Sequence, residues 1–194
     1  MLNALLKDYQ LILASASPRR HAFLKELDIP FKIQLQPVEE IYPNEYKQEE
    51  ITNYLAQLKA EPFIKDLQSK DILLTSDTIV WHNHQALGKP KDQHEARYML
   101  KQLSNASHSV ITSICLTTIS NQIVKHTSTK VTFKTLTSEE INYYIKHFQP
   151  FDKAGAYGIQ EWIGSIGITK IEGSYNNVVG LPTHLLYETL KAMV

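Results

Sequence analysis

Apolar residues along this chain fall into two rhythms, short unbroken bursts and recurrences every third or fourth position, and the two are mixed without strict alternation. The burst at 10–14 has the length and apolar density of a short buried strand. Behind it, Ser17 stands where a helix N-cap belongs and Pro18 at the first helical position, with Phe23, Leu24 and Leu27 at helical spacing. A strand over 31–35 leads into an acidic loop containing Pro37, Glu39, Glu40 and Pro43. A second helix starts near Gln48 and carries Ile51, Tyr54, Leu55 and Leu58 on one face, with Pro62 to kink or end it.

The pattern then predicts a central strand over 71–81 and a reversal at Asn83-His84. A third helix over 92–103 turns Ala96, Met99, Leu100 and Leu103 inward, and two long strands follow over 108–120 and 123–135. In the second of these, Val131 and Phe133 alternate with Lys130, Thr132 and Lys134, the signature of a half-exposed strand. Thr137 and Glu140 form a capping-box pattern for a helix running to His147, whose Tyr143 and Tyr144 read as one face packing on the sheet. From Pro150 to Pro182 the chain reads as irregular and glycine-bearing, before a last helix with Leu185, Leu186 and Leu190. These elements predict an α/β or α+β fold with a mixed sheet.

Composition narrows the function classes. With 194 residues, 43% hydrophobic and 21% charged, the chain can bury a core as one domain or two closely joined lobes. Lys+Arg and Asp+Glu balance at 20 each, so no global basic field is available for nucleic acid, and any anion site must be local. No apolar run reaches the length of a membrane span, and Ser-Pro-Arg-Arg directly behind the short apolar stretch at 11–16 argues against a signal peptide. The single Cys115 excludes an intramolecular disulfide, fits a reducing compartment and, in its apolar surroundings, reads as a buried inert thiol.

Chemistry concentrates in a few short segments. A strand running into the helix start at Ser15-Ala16-Ser17-Pro18 aims backbone N–H groups and the positive dipole end at one spot, which suits phosphate. Arg19 and Arg20 have the wrong sign for that dipole, which makes sense if an anion lies between; the plainer alternative is a solvated arginine pair. Adjacent Glu39 and Glu40 can hold Mg²⁺, although paired glutamates in a loop are ordinarily just solvated. Asp77, set between Ile72-Leu73-Leu74 and Ile79-Val80, needs a cation, a metal or a catalytic task to justify a charge near a core. Gly88-Lys89-Pro90 offers a stiff loop with a cation suited to phosphate, without the features of a Walker A loop. In the segment 152–160, small residues let backbone approach a ligand, and Gln160 offers a donor and an acceptor to a base edge. His82 and His84 at a turn read as surface residues rather than metal ligands, and 164–167 lacks the spacing of a nucleophile elbow.

Taken in order, Leu13-Ala14-Ser15-Ala16-Ser17-Pro18-Arg19-Arg20, Val38-Glu39-Glu40, Leu58-Lys59-Ala60, Ser76-Asp77-Thr78-Ile79-Val80, Gly88-Lys89-Pro90, the segment 152–160 and the segment 173–182 resemble the Maf family of nucleotide pyrophosphatases. The resemblance spans nearly the whole chain. It implies a single domain over 1–194 with an α/β fold: a long bent mixed β-sheet flanked by helices, a cleft between two lobes, and kinship with the inosine triphosphate pyrophosphatase fold. It implies hydrolysis of a nucleoside triphosphate between the α- and β-phosphates, assisted by a divalent cation, Mg or Mn. Position by position, Asp77, Glu40, Lys59 and Lys89 take catalytic places, with Asp77 as general base or water-orienting group. Glu40 and Asp77 would hold the metal. Ser15, Ser17, Arg19, Arg20, Thr78, Lys153 and Gln160 would bind substrate.

Arg19, Thr78 and Gln160 match the branch acting on dTTP and UTP, and a glutamine side chain can pair with the O4/N3 edge of thymine or uracil. The resemblance also implies a homodimer, while charge balance and the lack of a span or signal predict cytoplasmic placement with no nucleic-acid or membrane partner. Departures are Ser76 in place of alanine, Pro37 and Glu39 in place of aspartates, Pro62 close behind Lys59, and Glu161-Trp162 where a glycine is common. They bear on preference and rate rather than reaction type. The alternatives are a pyrophosphatase of modified or purine nucleotides and a catalytically silent nucleotide-binding regulator of cell division.

Overall fold

A computed structural model describes residues 2–194. A short helix α1 (Leu2–Leu5) and a 3₁₀ turn lead into β1 (Gln10–Leu13), which is followed by α2 (Pro18–Glu26) and β2 (Phe31–Ile33). After the acidic loop come α3 (Glu49–Leu58), a 3₁₀ turn over Glu61–Asp66, and the long strand β3 (Asp71–His82). Next are β4 (Gln85–Leu87), α4 (Gln93–Leu103), β5 (Ser107–Thr117), β6 (Gln122–Phe133) and α5 (Ser138–Phe148). The chain closes with α6 (Trp162–Gly167), β7 (Ile168–Glu172), α7 (Tyr175–Val179) and α8 (Thr183–Met193).

The strands form one mixed sheet in the order β2-β1-β3-β5-β6-β7, with β4 paired to β3. β1 runs parallel to both neighbours, with Leu11 opposite Phe31 on one side and Ile72 on the other. That environment explains the unbroken apolar bursts in β1 and β3, because a parallel strand covered on both faces has no solvent side to mark with polar residues. β3–β4 and β6–β7 are antiparallel. Asn83 and His84, which connect β3 to β4, both have positive φ (48° and 61°), as a two-residue type I′ hairpin requires.

The described chain divides into two compact units: residues 2–77, 112–127 and 180–194 in the first, and 78–111 and 128–179 in the second. In the first, Ile12 and Leu73 of the sheet pack with Ala56, Ala60, Phe63, Leu67 and Cys115. Cys115 is fully buried, and burial raises its thiol pKa, so it is inert at neutral pH as expected. In the second unit, Ala96, Met99, Leu100 and Leu103 of α4 join Val131 and Phe133 of β6 and Ile141, Tyr144 and Ile145 of α5. The α4 face is the one the spacing predicts. So is the start of α5, where the Thr137 hydroxyl accepts from Glu140 N–H while the Glu140 carboxylate accepts from Thr137 N–H.

Three expectations need correction. The stretch 150–182 is not irregular: it holds a 3₁₀ turn, α6, β7 and α7. β7 escapes the periodicity because the strand borders only β6 and its last four residues are exposed, so no buried face imposes alternation. Tyr143 and Tyr144 do not share a packing face, since Tyr144 is fully buried whereas Tyr143 is half exposed and lies against Trp162 and His147. Finally, Ser17 does occupy the N-cap position of α2, but its hydroxyl makes no capping bond.

Candidate active site

In the first unit, three charged side chains meet around one nitrogen. β3 carries Asp77 into the interior, Lys59 is the C-cap of α3, and the acidic loop brings Glu40. The Lys59 ammonium donates to Asp77 Oδ1 at 2.7 Å and pairs with Glu40 Oε1 at 3.1 Å. The Asp77 side chain is only 7% exposed and that of Lys59 18%, whereas Glu40 is nearly half exposed. Local contacts hold these parts in place: the Thr75 hydroxyl of β3 donates to the Ala56 carbonyl of α3 at 2.6 Å. Tyr46 of the acidic loop lies edge-on against Tyr54 of α3, with ring centroids 5.5 Å apart.

Asp77 Oδ2 and Ser76 Oγ are both buried, and neither has a hydrogen-bond partner among the described residues. A buried carboxylate oxygen left without a donor costs free energy, on the order of 1–3 kcal/mol or more. Such an atom invites a water, a metal or a substrate group.

The loop between β1 and α2 sits beside this cluster and is tied to it by Arg20. Its Nε donates to the Gly180 carbonyl at 2.9 Å, and Nη1 donates to the Ser76 carbonyl at 2.9 Å and to Ser15 Oγ at 3.4 Å. Ser15 Oγ also accepts from Ser17 N–H at 3.2 Å, and His21 Nε2 contacts the Ser15 carbonyl at 2.6 Å. Burial lowers the Arg20 pKa, the Asp77 carboxylate opposes that shift, Arg19 adds to it and Glu40 opposes it. A guanidinium stays charged under any such shift of ordinary size. The wrong-signed arginine at the start of α2 thus has a structural occupation: it clamps the backbone just before Asp77. Arg19 is half-buried beside it.

In the second unit, Thr78 is half-buried, and Lys89 and Gln160 are exposed. Lys153 is the exception, a lysine only 9% exposed, held by Asp152 Oδ1 at 2.6 Å and Glu161 Oε1 at 3.1 Å. The backbone that carries it is tight. Gly155 has φ +67°, its N–H donates to the Gly88 carbonyl at 3.0 Å, and a Cβ there would stand 2.8 Å from Val80 Cγ2. The loop after Lys153 rests on an aromatic cluster in which Tyr157 and Phe133 pack against His108. His108 Nε2 and the Tyr157 hydroxyl are 2.7 Å apart, and burial holds that imidazole neutral, its pKa pushed down to about 3.

Sequence reasoning missed Glu161, Tyr144, His21 and the Gly180 carbonyl as members of these networks. Glu161 stands out in the sequence only as a departure from the family pattern, Tyr144 only as a packing residue, and Gly180 only as part of the segment 173–182. All four join these networks through contacts that no spacing announces. His82 and His84 sit at the β3–β4 turn as expected, and no cluster of three or more His, Cys, Asp or Glu groups able to hold a metal occurs among the described residues.

Comparison with known proteins bears on the whole chain. The dTTP/UTP pyrophosphatase of Flavobacterium johnsoniae is 56% identical over 194 residues, covering 100% of both chains. That of Christiangramia forsetii is 56% identical over 194 residues, covering 100% of this chain and 99% of its own. Among solved structures, the Ham1 protein of Staphylococcus aureus matches with a TM-score of 0.54 at 15% identity, covering 95% of this chain and 100% of that one, a likeness of fold alone. The family model described as Maf-like protein matches residues 10–193, and with relatives of this identity along the full length, the chain belongs to the Maf family.

Proposed function

We propose that this protein hydrolyses the α–β phosphoanhydride of dTTP and UTP, releasing the nucleoside monophosphate and pyrophosphate. The observation that carries the chemistry is Asp77: a buried carboxylate with one oxygen held by Lys59 and the other, Oδ2, without a partner among the described residues. Relatives more than half identical over the full chain bear the name dTTP/UTP pyrophosphatase, which supports the substrate class.

Phosphoryl transfer asks the protein mainly for positioning and charge stabilisation. Asp77 Oδ2 accepts a hydrogen bond from the attacking water and orients its lone pair towards phosphorus. The new O–P bond forms as the bridging anhydride bond breaks, pyrophosphate leaves with the electron pair, and the attacking water's proton passes to Asp77 Oδ2. Lys59 fixes the other Asp77 oxygen, so the carboxylate cannot rotate away from that task. Arg20 holds the Ser76 backbone from which Asp77 projects.

The residues also fit a divalent cation. Asp77 Oδ1 and Glu40 Oε1 already converge on one positive nitrogen, and Mg²⁺ is commonly held by one or two carboxylates with phosphate and water completing its shell. Mg²⁺ or Mn²⁺ on Glu40 and Asp77 would supply charge neutralisation on the phosphate oxygens. Arg19, Lys89 and Lys153, with Ser15 and Ser17, are assigned to the triphosphate. Thr78 and Gln160 are assigned to the nucleoside, where the Gln160 amide suits the O4/N3 edge of thymine and uracil. No helix among the described residues is long and apolar enough to cross a membrane. Cytoplasmic placement and a homodimer belong to the same proposal.

The test is pyrophosphate release from dTTP, UTP, CTP and GTP with Mg²⁺, the parent beside Asp77→Asn. Release from dTTP and UTP that falls by about 10²–10⁴ in the variant is the expected result. Activity confined to other bases would overturn the substrate class, and binding without release would point to a regulator instead.

A further inference from the structure

Lys153 is only 9% exposed, and its two carboxylate partners are unlike one another. Asp152 is 57% exposed, so solvent competes for it and it constrains the ammonium weakly. Glu161 is 20% exposed and is itself locked. Its Oε2 accepts a hydrogen bond from the Tyr144 hydroxyl, its backbone N–H donates to the Gly158 carbonyl at 3.0 Å, and Oε1 faces Lys153. Tyr144 is fully buried in α5, and its hydroxyl oxygen accepts from Gly158 N–H at 3.0 Å. Burial first, and the Glu161 carboxylate second, raise the Tyr144 pKa, so the phenol remains a donor at any working pH. Glycine at 158 is part of the arrangement: a Cβ there would lie 2.9 Å from Glu161 Cδ and 3.0 Å from Gln160 Nε2. The carboxylate and the Gln160 amide therefore share the space over one glycine.

We infer that Glu161 is a positioning residue of the proposed reaction, a carboxylate locked by Tyr144 that aims the Lys153 ammonium and abuts the Gln160 amide over Gly158. An ammonium has three N–H donors. With two directed to Asp152 and Glu161, the third has a defined direction in which to meet a phosphate oxygen. Releasing the Glu161 leg lets the ammonium swing towards solvent-exposed Asp152. The inference rests on the assignment of Lys153 to the triphosphate and of Gln160 to the base.

The test is a double-mutant cycle on KM and kcat for dTTP with Glu161→Gln and Lys153→Met. Glutamine keeps the volume and an acceptor for Tyr144 and removes only the charge facing Lys153. Glu161→Gln is expected to raise KM about tenfold with kcat within about threefold, and to have less than about a twofold effect once Lys153 is methionine. Tyr144→Phe, which keeps the carboxylate but frees it, is expected to raise KM by a smaller factor, and it stands in if Glu161→Gln does not fold. Effects of Glu161→Gln and Lys153→Met that simply multiply would overturn the inference, because a purely structural Glu161 acts regardless of Lys153. An unchanged KM in Lys153→Met would overturn the phosphate assignment itself, a distinguishable failure.

Discussion

Exchange of Lys59 for methionine keeps a stem of similar length and removes the charge and its N–H donors. In the parent that ammonium makes the 2.7 Å bond to Asp77 Oδ1, while Oδ2 has no partner among the described residues. The variant therefore strands a carboxylate that is 7% exposed, with the nearby charge of Arg20 in support. Removing one member of a buried ion pair costs about 3–5 kcal/mol. Two effects lower that figure here. Glu40, nearly half exposed, rehydrates once released. Proton uptake also sets a ceiling: neutralising an ordinary aspartate, near 3.9, costs about 1.4 kcal/mol per pH unit, hence roughly 4 kcal/mol at pH 7 and roughly 1.5 at pH 5.

The expected loss is about 2–4 kcal/mol at pH 7, or about 4–16 °C in Tm for a chain of this length, shrinking to about 1.5 kcal/mol or less at pH 5. The sign follows from linkage: the folded variant holds a proton that the unfolded chain releases, so its stability gains relative to the parent as pH falls. Urea unfolding followed by tryptophan fluorescence at both pH values, in EDTA, measures the difference. Adding Asp77→Asn to Lys59→Met removes the stranded charge and recovers most of the loss. A deficit under about 0.5 kcal/mol, or one equal at the two pH values, would refute the claim that Lys59 neutralises a buried Asp77.

Two further outcomes follow from the second unit. His108 is held neutral with its pKa pushed down to about 3 against 6.5 unfolded, among His82, Tyr157 and Phe133. Its contribution to stability is complete above 6.5 and is lost as pH falls towards 3, at up to about 1.4 kcal/mol per pH unit; His108→Gln should flatten that slope in unfolding free energies measured across the window, and an unchanged slope would count against it. Gly155→Ala forces φ +67° on a side chain whose Cβ would stand 2.8 Å from Val80, so a loss of about 2–4 kcal/mol is expected, partly recovered by Val80→Ala. Thermal unfolding of the two variants checks it, and a glycine exchange tolerated without loss would contradict the strained turn.

The sequence alone determined what local physics can write. The capping box at Thr137 and Glu140 is a reciprocal pair of bonds within one helical turn, the Asn83-His84 reversal is set by two backbone dihedrals, and the α4 face follows from a 3.6-residue period. The mixed sheet was legible for the same reason, since β1 and β3 announce their burial by unbroken apolar runs. β7 was not legible, because the strand is largely exposed and only its pairing with β6 makes it a strand.

At the candidate site, the identity of Asp77 as a charge in need of a reason could be read from the apolar residues flanking it. Its partner could not: Lys59 lies 18 residues away and reaches Asp77 only because α3 packs beside β3. Arg20 reads as a phosphate ligand from its place at a helix start; that its guanidinium also clamps the Gly180 carbonyl 160 residues on and the Ser76 carbonyl is visible only in the fold. Tertiary structure decided these pairings because a side chain's hydrogen bonds are set by which distant backbone the packed core brings within about 3 Å, and no local pattern encodes that proximity.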